Sequence, residues 1–295
     1  MRVHVVANPT AGRGRVPRLL DELTTALGAR GASVTVHRTT GRGDAARHLA
    51  GLDPAAADRL VVVGGDGTLH EAVNGRPTPL PWPTAIVPVG TANLVARDAG
   101  MPLRADGDAL ARIVVEGTPW TVDLLETDRG LSLANVGVGI DAEVVSAVAS
   151  ARSGGLGGYA KWIRPILGAL VRYQAPHLSV TVDKGPEIEG GAVVVQNTFC
   201  YGGLFTLAPD ARMDDGRIEV TVLERASRRD YFRMLSKAYA GRLRGDRGVT
   251  MLAGTSVVVR SRARAAVQTD GDPAGETPVS VRVRPKALTL LRPPA

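Results

Sequence analysis

The sequence predicts two domains, an α/β domain with a Rossmann-like parallel sheet followed by an antiparallel β-sandwich domain. Over the first 125 or so of the 295 residues, short apolar runs alternate with segments of helical apolar spacing. From about Leu131 onward, short alternating runs are separated by turn residues, as in sandwiches and barrels. We expect domains at 1–126 and 127–285, and leave open whether the tail of about 286–295 returns to the first.

The elements of the first domain follow from hydrophobic spacing. Val16, Leu19, Leu20, Leu23 and Leu27 recur on one helical face. Further helices are predicted at 44–52, 68–74 and 106–116, and strands at 3–7, 33–37, 59–65 and 84–90. Strands that alternate with helices indicate a parallel sheet covered on both faces.

The second domain is predicted from eight short runs: LSLANVGVG, LSVTVD, EGGAVVVQNTF, RIEVTVLE, TSVVVRS, AAVQTDG, VSVRVRP and ALTLLRP. Two helical stretches interrupt them, near 159–173 and 229–240. The run PWTVDLL, residues 119–125, is a further strand close to the change of pattern.

Composition limits the partners. The net charge of +7 favours anionic partners such as nucleotide phosphates or acidic lipid headgroups. Only 4% of residues are aromatic, and no zinc-module or recognition-helix pattern is present, so we expect no nucleic acid. The one cysteine, Cys200, is typical of a reducing cytoplasm.

Three glycine-rich turns follow predicted strands: NPTAGRG at 8–14, GGDGT at 64–68 and PVGTAN at 88–93. Ligands of parallel sheets bind beyond the carboxyl ends of the strands. Glycine lets backbone N–H groups approach phosphate oxygens, and a helix N-terminus adds a favourable dipole. Each turn alone has an ordinary loop interpretation, but three at one sheet edge favour a shared nucleotide site.

Individual residues of these turns have alternative roles. Asp66 is a candidate Mg²⁺ ligand, and Thr68 either caps the following helix or binds a phosphate. The first turn offers Asn8, the backbone of Gly12 and Gly14, and the cation Arg13 or Arg15. Thr91 and Asn93 either bind a nucleotide or act as helix N-caps.

Three carboxylates lie outside these turns. Asp123, on an apolar strand, is either a paired edge residue or a group in a cleft between the domains. Taken alone, the spacing of Asp270 and Asp272 indicates a hairpin turn. GVGIDA, residues 137–142, imitates a dinucleotide fingerprint, but no acid follows between Glu143 and Asp183, so we reject it.

A membrane contact is one interpretation of the acid-free stretch that follows. If 159–173 is helical, Lys161, Arg164 and Arg172 share one face. A basic amphipathic helix suits an anionic membrane surface, while a core-packed helix with a solvated basic face fits the pattern equally well. We expect a cytoplasmic, peripherally membrane-associated protein. Its oligomeric state stays open, with a homodimer as one alternative.

The ordered motif set resembles the bacterial diacylglycerol kinase-like lipid kinases, relatives of the sphingosine kinases. The motifs are NPTAGRG, TTGRGDAAR, GGDGTLHEAVNG, PVGTANLVAR, VDL, LGGYAKWI, LAPDARMDDG and QTDGDPAG, and they span nearly the whole chain. GGDGT alone is less specific, because NAD kinases and phosphofructokinases share it. The resemblance implies an NAD kinase-like and diacylglycerol kinase-like fold, an active cleft between the domains, ATP and Mg²⁺, a lipid hydroxyl as acceptor and a role in phospholipid biosynthesis.

The resemblance also assigns residues. It places ATP at Asn8, Pro9, Thr10, Ala11, Gly12, Arg13, Thr39, Gly64, Gly65, Asp66, Gly67, Thr68, Leu69, His70, Glu71, Gly90, Thr91 and Asn93. Asp272 falls at the family's proposed general base, and Asp270 beside it is a further catalytic candidate. Asp66 and Asp123 belong to an acidic cluster around the catalytic metal. Asp215, with the carbonyls of Arg212 and Arg217, matches a structural Mg²⁺ loop.

Two positions depart from the family pattern. Leu94 stands where relatives commonly have an aspartate, and Asp272 stands in place of a glutamate. Positioning is a large part of phosphoryl-transfer catalysis, so these departures bear on activity. An ATP-dependent lipid kinase acting on diacylglycerol or a related lipid is the leading hypothesis. The alternatives are an NAD kinase-like soluble kinase and a non-catalytic nucleotide- or lipid-binding regulator.

Overall fold

The structure is a computed structural model that describes residues 1–76, 80–152, 168, 171 and 173–294. The chain divides into two compact units, Met1–Leu124 with Arg284–Ala295, and Leu125–Val283. These bounds lie within two residues of those expected from the sequence. The predicted helix near 159–173 falls largely outside the described residues.

The first unit is a parallel sheet with helices. Its strands are β1 (Arg2–Ala7), β2 (Ser33–Arg38), β3 (Arg59–Gly64), β4 (Thr84–Pro88) and β5 (Thr118–Thr127), the last of which ends in the second unit. Its helices are α1 (Val16–Ala29), α2 (Asp44–Gly51), α3 (Asp66–Asn74), α4 (Leu94–Asp98) and α5 (Gly107–Glu116). The sheet order is β2-β1-β3-β4, all parallel, so the carboxyl ends of these strands lie at one edge.

The elements of this unit form because their apolar residues are buried. Leu60, Val61, Val62 and Val63 of β3 are fully buried, as expected for a central parallel strand. Leu20, Leu23 and Leu27 of α1 are buried on one face, which confirms the helical spacing.

The second unit contains the remaining elements. Its strands are β6 (Gly130–Ser132), β7 (Asn135–Val138), β8 (Leu178–Val182), β9 (Glu187–Gly190), β10 (Ala192–Gln196), β11 (Cys200–Tyr201), β12 (Phe205–Thr206), β13 (Ile218–Leu223), β14 (Val249–Gly254), β15 (Ser256–Ser261), β16 (Ala266–Thr269), β17 (Asp272–Glu276) and β18 (Val279–Arg292), the last of which ends in the first unit. Among its described residues, the longer helices are α6 (Ile140–Arg152) and α7 (Arg228–Tyr239).

Two sheets of the second unit share one apolar core. One has the order β14-β13-β10-β7-β16-β17, and its neighbouring strands are antiparallel. In the other, β15 pairs antiparallel with both β8 and the start of β18. Val136, Val193 and Val220 of the first sheet are buried in one cluster with Val180 and Val257 of the second. The predicted fold class, an α/β domain followed by a β-sandwich, is confirmed.

Two local expectations are wrong, and one helix of the second unit was not predicted. The run LSLANVGVG is two strands, β6 and β7. The runs VSVRVRP and ALTLLRP are one strand, β18, which continues through Pro285 and through Lys286 at φ 52°. Helix α6 begins where GVGIDA was treated only as a rejected fingerprint, directly after Gly139 at φ 88°.

Candidate functional site

The first and second glycine-rich turns are joined by hydrogen bonds. The N–H of Asn8 donates to the carbonyl of Val63 at 2.9 Å, because the chain continues the parallel ladder for one residue beyond β1. The Asn8 side-chain amide donates to Thr68 Oγ1 at 3.4 Å. Asn8 Oδ1 in turn accepts from the N–H and the hydroxyl of Thr10, at 3.1 and 2.8 Å.

The second and third turns are also joined. The N–H of Val89 donates to the carbonyl of Gly64 at 3.0 Å, and the N–H of Val95 donates to Asp66 Oδ1 at 3.3 Å. A Cβ on Gly90 would lie 2.6 Å from Gly65 Cα, so only glycine permits this approach. The three turns therefore meet within the first unit, at the edge where the parallel strands end.

The start of α3 suits an anion. Its N-cap residue is Gly65, which has no side chain to satisfy the first N–H groups of the helix. Backbone N–H groups at a helix N-terminus attract phosphate oxygens. Asp66 is half-buried and Gly67 is exposed at this helix start.

The structure does not support the capping alternative for Thr68, and supports it for Asn93 only in position. Helix α3 begins at Asp66, so Thr68 lies inside it, buried, where its hydroxyl meets the Asn8 side chain. Asn93 occupies the N-cap position of α4 but makes no capping bond. Its backbone is left-handed at φ 50°, and its amide donates to the carbonyl of Gly90 at 2.9 Å. The Asn93 side chain therefore stabilises the third turn rather than the helix.

The other residues assigned to ATP differ in exposure. Thr39 is buried, and its N–H donates to the carbonyl of Ala7 at 2.8 Å. Leu69 is buried in α3 and offers a ligand only its backbone. Those that are exposed or half-buried are Pro9, Thr10, Ala11, Gly12, His70, Glu71 and Thr91. Arg13 lies in a short 3₁₀ turn, Ala11–Gly14.

The acidic cluster expected around a catalytic metal stays a prediction. In the ranges that the structure describes, no three His, Cys, Asp or Glu side chains lie together as a metal site. Asp123 is 2% exposed, and its Oδ1 accepts from the N–H of Lys286 at 2.8 Å, where β18 has its left-handed residue. Leu94, at the position where relatives commonly have an acid, is buried.

The second magnesium assignment stays a prediction. Asp215 is exposed, and its Oδ1 accepts from the N–H of Arg217 at 3.0 Å, which closes a short turn. Arg212 lies 3.6 Å from Asp214 in an exposed ion pair. The residues of the predicted membrane helix, Lys161, Arg164 and Arg172, lie outside the described residues.

In the second unit, Asp270 and Gly271 form the tight turn between β16 and β17. Both have positive φ, 49° and 82°, as a two-residue hairpin of type I′ requires. The Asp270 carboxylate accepts hydrogen bonds at 2.7 to 3.1 Å from four donors: the Ser132 hydroxyl and the N–H groups of Leu133, Ala134 and Asn135. Asp270 therefore fixes the turn, and half-buried Asp272 begins β17 directly after it.

A buried polar network holds the other side of this turn. Gln268 Oε1 accepts from the N–H of Gly271 at 2.8 Å, and Gln268 Nε2 donates to Asn135 Oδ1 at 2.7 Å and to Asp141 Oδ2 at 2.8 Å. The Tyr201 hydroxyl donates to Asp141 Oδ1. Sequence reasoning missed Asp141 and Gln268. The available signal was that each of them is a polar residue within an otherwise apolar run.

Burial raises the pKa of the Asp141 carboxyl to about 6, against the opposing hydrogen bond from Gln268. The folded state therefore binds a proton that the unfolded chain releases above its ordinary pKa of 3.8. The contribution of this group to stability is complete below about pH 4 and is lost as the pH rises to about 6.

We expect Asp141→Asn to remove this pH dependence, because asparagine cannot ionise. Relative to wild type, the free energy of unfolding of Asp141→Asn should rise between pH 4 and pH 6 by on the order of 2 kcal/mol and then stay level. Urea unfolding of both proteins over this pH range measures the difference. A difference that does not change with pH would contradict the assignment.

A parallel α/β unit with a glycine-turn edge, followed by a β-sandwich, defines the class of NAD kinase-like folds. An NAD kinase from Archaeoglobus fulgidus in complex with ATP has this fold, with a TM-score of 0.54 and 13% identity over 99% of this chain and 94% of that one. A diacylglycerol kinase structure from Bacillus anthracis str. Sterne matches with a TM-score of 0.76 and 23% identity over 99% and 97% of the two chains.

The family follows from the sequence models. Residues 2–127 match the diacylglycerol kinase catalytic domain, and residues 134–292 match the YegS C-terminal NAD kinase beta sandwich-like domain. The chain therefore belongs to the bacterial diacylglycerol kinase-like lipid kinase family, as the motifs indicated. It is 27% identical to a diacylglycerol kinase of Bacillus subtilis (strain 168), over 94% of this chain and 91% of that protein. It is 29% identical to one of Mycobacterium tuberculosis (strain ATCC 25618 / H37Rv), over 99% and 95%.

Proposed function

We propose that this protein is an ATP- and Mg²⁺-dependent lipid kinase that transfers the γ-phosphoryl group to a lipid hydroxyl, with diacylglycerol as the first candidate acceptor. Its relatives are named diacylglycerol kinase, which supports a kinase with a hydroxyl acceptor. The observation that carries the proposal is the contact between Gly65 and Gly90 at the start of α3.

This contact supports nucleotide binding for a physical reason. Because Gly65 and Gly90 have no side chains, they do not cover the backbone N–H groups and the helix N-terminus at this edge of the parallel sheet. The bonds from Asn8 to Thr68 and from Val95 to Asp66 keep the turns in place before a ligand arrives. A preorganised site loses less entropy when phosphates bind.

The fit for Mg²⁺ differs between the two carboxylates assigned to it. Mg²⁺ usually takes one or two protein carboxylates together with substrate phosphates, so a preformed protein cage is not required. Half-buried Asp66, in the first turn of α3, fits this role. Buried Asp123, bonded to the backbone of Lys286, fits a structural role. When bound, the metal would neutralise charge that develops on the phosphates.

In this proposal the second unit supplies the proton acceptor. Asp272 follows a turn that the carboxylate of Asp270 and the side chain of Gln268 fix. Asp272 accepts the proton of the lipid hydroxyl as that oxygen bonds to the γ-phosphorus, and the bond from the phosphorus to the bridging oxygen of ADP breaks.

The test is transfer from γ-labelled ATP with Mg²⁺ to one of three acceptors: diacylglycerol in mixed micelles, a total lipid extract, or NAD. The proposal predicts label in lipid, and on the order of a hundredfold less with Asp66→Ala, because a metal that stabilises transition-state charge is worth several kcal/mol. Label that enters only NAD would favour an NAD kinase-like enzyme. ATP binding with no label in any acceptor would favour a non-catalytic regulator. An exposed-residue control, Asp128→Ala, should transfer at the wild-type rate.

A further inference from the structure

One strongly basic segment of the chain surrounds a helix of the second unit. Residues 224–247 carry eight Arg and Lys residues against three Asp and Glu residues, a net charge of +5. Helix α7 forms the centre of this segment, and the whole segment belongs to the second unit. In the described part of the chain, no helix combines the length and apolar character needed to cross a bilayer.

One face of α7 anchors the helix. Tyr231, Met234 and Ala238, at spacings of three and four residues, are buried in a cluster with Leu207 and Leu243. The Ser227 side chain accepts from the N–H of Asp230 and caps the start of the helix. The helix is therefore fixed to the sandwich through this face.

A second face has its charges satisfied inside the protein. Lys237 pairs with Asp246, whose side chain is 3% exposed, and Arg233 lies 3.6 Å from the same carboxylate. Arg233 also lies 3.4 Å from Asp230 and donates to the carbonyl of Arg247. These cations are committed to the fold.

The third face is open and amphipathic. Arg228, Arg229, Phe232 and Tyr239 are exposed, and at 100° per residue they lie within an arc of about 100°. Phe232 is 51% exposed and Tyr239 is 72% exposed. Within the described ranges, neither Arg228 nor Arg229 forms a salt bridge.

A hairpin extends this face. The turn between β11 and β12 contains Gly202 and Gly203, both at positive φ, and presents Leu204 with 68% of its surface exposed. The next residue, Phe205, makes an edge contact with Tyr239, with the ring centroids 6.4 Å apart. Leu204 therefore lies on an element that contacts the carboxyl end of α7.

We propose that Leu204, Arg228, Arg229, Phe232 and Tyr239 form a docking face for an anionic lipid bilayer. Large apolar side chains beside arginines suit the interface of a membrane, where rings enter the headgroup region and guanidinium groups meet phosphates. A second copy of the chain is a poorer occupant, because two such faces would bring four or more uncompensated arginines together. The face differs from the helix near 159–173 considered from the sequence.

The test is co-sedimentation of the full chain with vesicles of phosphatidylcholine, with and without about one third phosphatidylglycerol. Wild type should bind the anionic vesicles more tightly, and added salt should weaken this binding. Arg228→Glu with Arg229→Glu should lower the partition coefficient at least about tenfold, because each basic residue near the surface contributes about fivefold. Phe232→Ser with Tyr239→Ser should lower it as well, with little change in thermal stability because both rings are exposed.

The matched control is Arg260→Glu with Arg262→Glu, which makes the same charge change at two exposed arginines of the same unit. It should change partitioning less than about twofold. Equal loss in the control, or unchanged binding by the α7 variants, would overturn the proposal. So would a wild-type dimer that the Phe232 and Tyr239 substitutions dissociate while vesicle binding persists. Binding is measured without nucleotide, so its outcome is independent of kinase activity.

Discussion

Replacement of Asp272 by asparagine is expected to lower kcat by about 10²- to 10⁴-fold, the range that general base catalysis contributes. Asparagine has the same size but cannot take the proton from the acceptor hydroxyl. The turn itself should persist, because Asp270 holds it through four hydrogen bonds and Gln268 through a fifth. The measurement is kcat for transfer to diacylglycerol, with ATP affinity determined in parallel.

The conservative variant is the control for this prediction. Asp272→Glu keeps a carboxylate and adds one methylene, which restores the residue that the family pattern has at this position. It should retain far more activity than Asp272→Asn. If Asp272→Asn turns over at the wild-type rate, Asp272 is not the base.

Gly90→Ala is expected to weaken ATP binding by at least about tenfold and to lower the free energy of unfolding by about 1–3 kcal/mol. The added Cβ would lie 2.6 Å from Gly65 Cα and 2.7 Å from Asn93 Oδ1, so the second and third turns must separate. Equilibrium binding of ATP and urea unfolding measure the two effects.

A glycine in open space provides the comparison. Gly28, inside α1, has nothing within 4 Å of an added Cβ. Gly28→Ala should leave ATP binding unchanged and raise stability slightly, because alanine favours the helix. Unaltered binding and stability in Gly90→Ala would contradict the close approach of the two turns.

Apolar periodicity and turn residues predicted the architecture. Burial determines the spacing of the apolar residues, and backbone geometry determines the residues of the turns. The run LVVVG, bounded by glycine, indicated a buried strand, and it is fully buried in β3. The helix start at Asp66 was misplaced by two residues, because its N-cap is a glycine and gives no side-chain signal. Strand β18 was predicted as two strands because nothing near Lys286 in the sequence shows that the strand continues. The N–H of Lys286 is satisfied by Asp123, 163 residues away.

The candidate site was predictable only in part. The glycine turns could be found because glycine is required where backbones approach closely, as at Gly65 and Gly90. The network of Gln268 and Asp141 could not be predicted, because it joins side chains 127 positions apart in separate apolar runs. The exposed face of α7 was not predicted because buried Tyr231 and exposed Phe232 are neighbours in the sequence, and only the fold distinguishes them.

The central claim is γ-phosphoryl transfer to a lipid, and the most direct test compares two labels. Wild-type protein is incubated with Mg²⁺, diacylglycerol micelles and ATP labelled at either the γ- or the α-phosphate. We predict that the γ-label appears in a phosphorylated lipid at a rate proportional to protein concentration, and that the α-label does not. If the protein binds ATP while the lipid stays unlabelled from the γ-position, the account is contradicted.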